Sequence, residues 1–125
     1  MSIEAYFQEI QNSIATCFVV QSSNIRYDKR TLHTGFIQGE LYFADDSVLH
    51  IREFVDTENG VDCLMYVYHY MDNQNNLVFR YDNTGHHKGL PNYPHHKHVG
   101  SQNNVISTNA PNLAEVLVEI EQSLE

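Results

Sequence analysis

The residues best suited to chemistry are concentrated between Phe79 and Gly100 of this 125-residue chain. Five of the eight histidines lie within thirteen residues of this stretch: His86, His87, His95, His96 and His98. Histidine favours neither helices nor strands, and adjacent histidines repel one another when protonated, so folding alone does not require the cluster. Because imidazoles transfer protons, bind metals and contact anions near neutral pH, we take this stretch as the candidate site.

Two charged residues stand where the last predicted strand enters the histidine-rich segment. Arg80 and Asp82 are two positions apart, so their side chains project to the same side of an extended strand. Arg80 could bind a phosphate or a carboxylate through two parallel hydrogen bonds. The alternative is a surface ion pair between the two residues, which would stabilise the fold by roughly 0–1 kcal/mol. Both interpretations stay open.

The run from His95 to His98 is the sharpest local pattern. In an extended segment His96 and His98 project to one side, and the other two residues of the run project to the opposite side. The run suits acid–base chemistry with a basic anchor. It also suits a metal site, with Asp82 or His86 as additional donors, although no spacing matches a signature such as HExxH. A third interpretation is that the imidazoles hydrogen-bond the loop into place.

A carboxylate interrupts an otherwise apolar strand face. Leu49, Ile51, Glu53 and Val55 alternate in phase, which points Glu53 toward the predicted core. An inward carboxylate is unfavourable unless it is paired or hydrogen-bonded. Glu53 is therefore a candidate functional residue. The alternatives are a side chain that reaches solvent at a strand end, or an ion pair with Arg52 or in the neighbourhood of Arg80.

The surrounding elements predict an α+β domain. Apolar residues with helical spacing occur near the start and the end of the chain: Ile3, Tyr6, Phe7, Ile10, Ile14 and then Leu113, Val116, Leu117, Ile120, Leu124. The intervening segment alternates as strands do, and Asn59-Gly60 is a hairpin signal. We predict a curved antiparallel meander of about five strands, with the N-terminal and C-terminal helices packed on one face. Residues 1–125 are expected to form one domain, within which residues 83–109 form a histidine-rich loop and polar connector.

Composition limits the classes of partner. The formal net charge of −9 argues against broad electrostatic capture of nucleic acid, so an RNA would have to be held by a local basic patch. No run approaches the roughly 18 apolar residues of a membrane span, and no secretion signal is visible. We therefore expect a cytoplasmic protein without a membrane partner.

Three short strings together resemble the TumE family of toxins from type II toxin–antitoxin systems. They are residues 79–83, the pair His86-His87 and residues 94–98. The resemblance implies a bacterial cytoplasmic protein encoded beside an antitoxin, with an RNA-directed activity. It carries a candidate catalytic role to eight positions: Glu53, Arg80, Asp82, His86, His87, His95, His96 and His98. It carries a phosphate-binding role to Arg80 and Lys97.

The first hypothesis is a metal-independent endoribonuclease that needs no cofactor. Glu53 or a loop histidine would deprotonate a ribose 2′-hydroxyl, and another histidine would protonate the leaving oxygen. Arg80 and Lys97 would stabilise the charge on the phosphate. The partners to test are a cognate antitoxin, an RNA substrate and a second copy of the chain.

The second hypothesis is a non-catalytic protein-interaction or metal-binding module. Its acidic surface would bind a basic partner, and the histidine loop would be structural or stabilised by a metal.

Overall fold

The computed structural model describes residues 1–85 and 87–124, which form an antiparallel sheet of seven strands and two helices. The helices are α1 (Ile3–Thr16) and α2 (Leu113–Ser123). The strands are β1 (Val20–Lys29), β2 (Thr34–Phe43), β3 (Val48–Asp56), β4 (Asp62–Met71), β5 (Leu77–Asp82), β6 (His96–Val99) and β7 (Val105–Ser107). The strands lie in the sheet in the order of the chain. None of the helices in these two ranges has the length and apolar character needed to cross a membrane.

Both helices form where the sequence supplies a cap and an apolar stripe. The side chain of Ser2 accepts a hydrogen bond from the Ala5 amide at the start of α1. Asn112 and Glu115 exchange hydrogen bonds as a capping box at the start of α2. The stripe residues are buried against the sheet: Ile3, Tyr6, Phe7, Ile10, Leu113, Val116, Leu117 and Ile120. The predicted helices, and their packing on one face, are confirmed.

The sheet has seven strands, whereas the sequence predicted about five. The two additional strands, β6 and β7, lie within the 83–109 segment that was expected to be a loop and connector. They are only four and three residues long, and they are rich in polar side chains, so they lack the apolar alternation that predicts a strand. The first strand runs from Val20 to Lys29, although most of its residues are polar.

Strand register divides the side chains of the sheet between two faces. One face carries the apolar residues that pack against α1 and α2, among them Ile37, Leu41, Ile51 and Tyr68. In the described part of the chain the opposite face has no helix packed on it, and we call it the helix-free face. The candidate chemistry of the sequence is distributed over both faces, because strand neighbours alternate in direction.

Gly39 marks a place where two strands approach too closely for any side chain. A Cβ atom at this position would lie 2.0 Å from the backbone oxygen of Asn24 and 2.8 Å from Cα of Ile25. We expect Gly39→Ala to lower the free energy of unfolding by about 3 kcal/mol, because paired backbones must separate to admit a methyl group. Urea denaturation measures the change.

The matched control for that substitution is Gly89→Ala. A Cβ atom at Gly89 would meet no atom within 4 Å. Its free energy of unfolding should therefore stay within about 0.5 kcal/mol of that of the parent chain. Equal stability of the two variants would contradict the close approach at Gly39.

Candidate functional site

A row of polar side chains crosses the helix-free face from β2 to β6. The register places Glu40 opposite His50, His50 opposite His69, His69 opposite Arg80, and Arg80 opposite His98. We call these five residues the arginine–histidine row. Residues directly opposite one another in an antiparallel pair have Cβ atoms roughly 5 Å apart, so side chains along such a row contact their neighbours.

A second row lies beside the first on the same face. Its members are in register from β1 to β6: Arg26, Gln38, Arg52, Val67, Asp82 and His96. Because side chains two positions apart on one strand share a face, the two rows together bring charged and imidazole groups from six strands onto one surface.

All four arginines of the chain belong to this surface or its edge. Arg26, Arg52 and Arg80 lie in the rows, and the guanidinium of Arg30 lies 4.7 Å from the ring centre of Phe36. The four guanidinium groups are thus gathered on one face, or at its edge, of a protein whose net charge is −9. Two of them are paired with carboxylates there, Arg80 with Asp82 at 2.9 Å and Arg30 with Asp28 at 3.0 Å.

Two hollows indent the surface, and Arg52 lines both of them. The smaller has a volume of about 270 Å³ and is walled mainly by His50, His69 and Arg80. The larger has a volume of about 590 Å³ and is lined by Arg26, Arg30 and Arg52 together with Phe36. Phe36 also stacks on Phe54 of the neighbouring strand, with ring centres 4.6 Å apart.

Arg80 connects the smaller hollow to a buried carboxylate. Its Nε donates a hydrogen bond of 2.9 Å to Asp82, and its Nη1 lies 3.3 Å from Nδ1 of His69. Burial opposes ionisation of Asp82, but the hydrogen bonds from Arg80 and Thr84 outweigh it and lower the pKa of the carboxyl. Burial lowers the pKa of His69, and the adjacent Arg80 and His50 lower it further. His69 is therefore neutral at physiological pH.

His96 and His98 lie side by side in the rows and are almost fully buried, with 2% and 7% of their surface exposed. The Nδ1 atom of each ring contacts a backbone oxygen at 2.9 Å, from Pro94 and Gln102 respectively. The Nε2 atoms lie 2.9 Å and 3.8 Å from Asp82. Burial lowers the pKa of His98, against the raising effects of Gln102 and Asp82.

His95 and Lys97 project to the opposite face, as the alternation predicted. The Tyr66 hydroxyl and His95 Nδ1 are 3.0 Å apart. Lys97 donates to Glu119 of α2 at 2.8 Å, and its ammonium lies 4.7 Å from the ring centre of Tyr81. Burial disfavours the charge on Lys97, yet the Glu119 and Tyr81 contacts raise its pKa. The expected phosphate-binding partners Arg80 and Lys97 are therefore on different faces.

Glu53 also lies on the helix side of the sheet. It is fully buried, and its two oxygens accept hydrogen bonds from the hydroxyls of Tyr6 at 2.5 Å and Tyr68 at 2.7 Å. Burial raises the pKa of Glu53, and the two tyrosine hydrogen bonds only partly offset that effect. The inward orientation that the sequence predicted is correct, and the sheet separates this carboxyl from Arg80 and from His98.

The structure thus brings five of the eight candidate catalytic residues together. Arg80, Asp82, His96 and His98 are neighbours on the sheet, and the His87 ring lies 4.8 Å from that of His96. His86 lies outside the described residues.

Sequence reasoning did not place His50, His69, Arg26 or Arg52 on this surface. They come from β1, β3 and β4, and only the cross-strand register brings them to the same face as Arg80. The sequence held one signal for them. Each alternates with core residues along its own strand, so its side chain must project from the sheet face opposite the core.

These features define a small α+β protein that gathers its four arginines and several histidines on the helix-free face of an acidic chain. A comparison with protein families then identifies the group: the model of the family described as Toxin TumE matches residues 8–124. The chain belongs to this family. No curated protein and no solved structure matches it.

Proposed function

We propose that this member of the toxin family cleaves RNA in the smaller hollow of the helix-free face, as the toxin of a toxin–antitoxin pair. The observation that carries the proposal is the position of all four arginines around the two hollows, with His50 and His69 between Arg52 and Arg80. Membership of a toxin family supports the toxin role. Because the proposed target is RNA, we expect the toxin to act in the cytoplasm.

The arginines supply the affinity for the nucleic-acid backbone. Arg52 and Arg80 flank the smaller hollow, so one phosphate there receives hydrogen bonds from two guanidinium groups. The larger hollow begins on the other side of Arg52, where the guanidinium of Arg30 lies over the Phe36 ring and offers a stacking surface for an adjoining base. A single strand fits this arrangement, since its bases are free to stack on protein rings.

The two histidines of the hollow transfer the protons. His69 is the base that takes the proton from a ribose 2′-hydroxyl: its lowered pKa keeps the ring neutral, and Nδ1 becomes free to accept the proton when Nη1 of Arg80 turns from it to the bound phosphate. The 2′-oxygen then attacks phosphorus, and the bond to the 5′-oxygen breaks. His50, whose Nδ1 lies 3.9 Å from Glu40, protonates that oxygen. The products are a 2′,3′-cyclic phosphate and a 5′-hydroxyl, and Arg80 stabilises the charge that develops on the phosphate.

Glu53 and the buried loop histidines have no proton-transfer role in this proposal. Glu53 faces the helices, and His96 and His98 are largely covered. Asp82 acts as a positioning residue, because it holds Nε of Arg80 while Nη1 faces His69.

The proposal also says how a cognate antitoxin would inhibit the toxin. An acidic segment of the antitoxin would cover Arg26, Arg52 and Arg80, because its carboxylates and RNA compete for the same guanidinium groups.

The test compares RNA binding by charge-matched variants. Arg52→Gln should weaken binding of a single-stranded RNA about tenfold or more, because a charged hydrogen bond to phosphate is lost. The slope of log affinity against log salt should fall by roughly 0.7 for each contact removed. Lys29→Gln removes the same charge from the helix side, where Lys29 pairs with Glu4, and should change neither quantity. Fluorescence anisotropy with a labelled oligonucleotide measures both, and equal losses in the two variants would contradict the proposed face.

A further inference from the structure

We propose that His87, His96 and His98 bind one divalent transition-metal ion of the zinc type, which fastens the segment before β6 to the helix-free face. One ring nitrogen from each of the three lies within 4.8 Å of the other two. The ring centre of His87 lies 4.8 Å from that of His96 and 5.7 Å from that of His98, and the ring centres of His96 and His98 are 5.0 Å apart. This site shares Asp82 with the proposed RNA chemistry, but neither His50 nor His69 belongs to it.

The orientation of the two strand histidines favours metal ligation. His96 and His98 each direct Nδ1 at a backbone carbonyl, Pro94 O and Gln102 O, at 2.9 Å. A histidine that donates Nδ1–H to a carbonyl keeps the lone pair on Nε2, and metal-binding histidines are commonly held in this way. Both Nε2 atoms therefore point inward with their orientation already fixed by the backbone.

The hydrogen bonding of His96 requires positive charge at its Nε2. Its Nδ1 faces Pro94 O, and its Nε2 lies 2.9 Å from Oδ1 of Asp82. A neutral imidazole has one N–H and can donate to only one of these oxygens. A second proton or a metal ion at Nε2 satisfies both sides at once, because the carboxylate of Asp82 then faces a positive charge.

Asp82 supplies the compensating charge. The carboxylate is 2% exposed and lies 2.9 Å from Nε2 of His96 and 3.8 Å from Nε2 of His98. Three neutral imidazoles and one carboxylate are a suitable set for Zn²⁺, Co²⁺ or Ni²⁺, whereas Mg²⁺ and Ca²⁺ prefer oxygen ligands. Burial of a dication beside Arg80 is favourable only with such an anion.

The three histidines, which we call the histidine triad, must bring their ligating nitrogens closer together to bind one ion. Tetrahedral zinc with Zn–N bonds of about 2.0–2.1 Å holds its nitrogens roughly 3.4 Å apart. The widest separation in the triad is at most 4.8 Å, so a movement of about 1.4 Å closes it. His96 and His98 are fixed in β6, and His87 lies in the connecting segment, so His87 is the ligand that moves.

Metal binding is tested on full-length protein freed of metal by chelation and then titrated with Zn²⁺ or Co²⁺ alone. We expect one ion per chain, a visible spectrum of low-symmetry Co²⁺, and a rise in melting temperature with metal concentration. His87→Ala should weaken affinity by more than about 100-fold, the upper end of the loss seen when only a residue supporting a ligand is removed. His95→Asn is the matched control, because His95 lies in the same segment but faces Tyr66.

A second measurement keeps the result interpretable if a variant is unstable. Lys88 is exposed in the segment that the metal would fasten, so Zn²⁺ should slow tryptic cleavage after Lys88 in the parent chain and in His95→Asn. It should not do so in His87→Ala. Absence of Zn²⁺ binding by the parent chain, or equal binding and protection in His87→Ala, would overturn the proposal.

Discussion

Glu53→Ala is expected to lower the free energy of unfolding by about 3–5 kcal/mol, the largest stability effect of any substitution considered for this protein. The change removes the acceptor of two buried hydroxyls, those of Tyr6 and Tyr68, and leaves a cavity beneath α1. Each unsatisfied hydroxyl costs about 1–3 kcal/mol, and lost packing adds to that. Urea denaturation followed by circular dichroism measures the change.

The Glu53→Gln variant separates the charge of this residue from its volume. Burial raises the pKa of Glu53 above its ordinary value of 4.5, so the folded state retains a proton that the unfolded state releases. The stability that protonation contributes is fully present below the unfolded pKa and is lost as pH rises through the folded pKa. Glutamine does not ionise, so Glu53→Gln should gain stability relative to the parent chain as pH rises above about 4.5.

The expected gain is about 1.4 kcal/mol for each unit by which burial raises the pKa, and it levels off above the folded pKa. Denaturation curves for both proteins from about pH 4 to about pH 8 provide the comparison. A difference that stays constant with pH, or that favours the parent chain increasingly, would show that Glu53 is held as a carboxylate.

Replacement of either histidine of the smaller hollow is expected to slow RNA cleavage by about 10²–10⁴-fold, the usual contribution of a positioned acid or base. His50→Gln and His69→Gln keep a polar side chain and leave Arg52 and Arg80 in place. RNA affinity should therefore stay within about threefold of that of the parent chain, since phosphate contacts dominate binding. Single-turnover cleavage of a labelled RNA, with anisotropy to measure binding, separates the two effects.

The pH dependence identifies the base. In the parent chain the cleavage rate should rise with pH through a pKa below 6.5, because burial, with help from Arg80 and His50, lowers the pKa of His69. His69→Gln should lose this acidic limb of the profile. His33→Gln is the control, because His33 contacts the backbone oxygen of Met1, away from the hollow. The assignment of His69 fails if His33→Gln and His69→Gln retain equal cleavage rates.

Much of the fold could be predicted because its signals are local. The stripes of α1 and α2 have helical spacing, and the Asn112–Glu115 capping box marks where α2 begins. The inward orientation of Glu53 followed from the alternation of β3. Each of these depends on residues close together in the sequence, where spacing alone determines which side chains share a face.

The composition of the site could be predicted only in part. Arg80 and Asp82 project together because they share β5, and His96 and His98 because they share β6. The partners of Arg80 on other strands depend on register, which no local pattern specifies, so the sequence did not place His69 beside Arg80. Glu53 was grouped with the loop histidines for the same reason: the sequence did not show that a sheet would separate them.

The sequential order of the strands has a consequence for assembly and for local opening. Each strand pairs only with its neighbours along the chain, so β6 and β7 can detach from β5 without breaking any pairing among β1 to β5. These two strands are the shortest of the sheet, and β7 is one of its two edge strands. Hydrogen-exchange protection should therefore be lowest at this end, where few backbone bonds oppose fraying. Such fraying would displace His96 and His98, whereas His50, His69 and Arg80 would stay aligned on β3, β4 and β5. The β6–β7 end of the helix-free face can therefore open while the rest of that face keeps its structure.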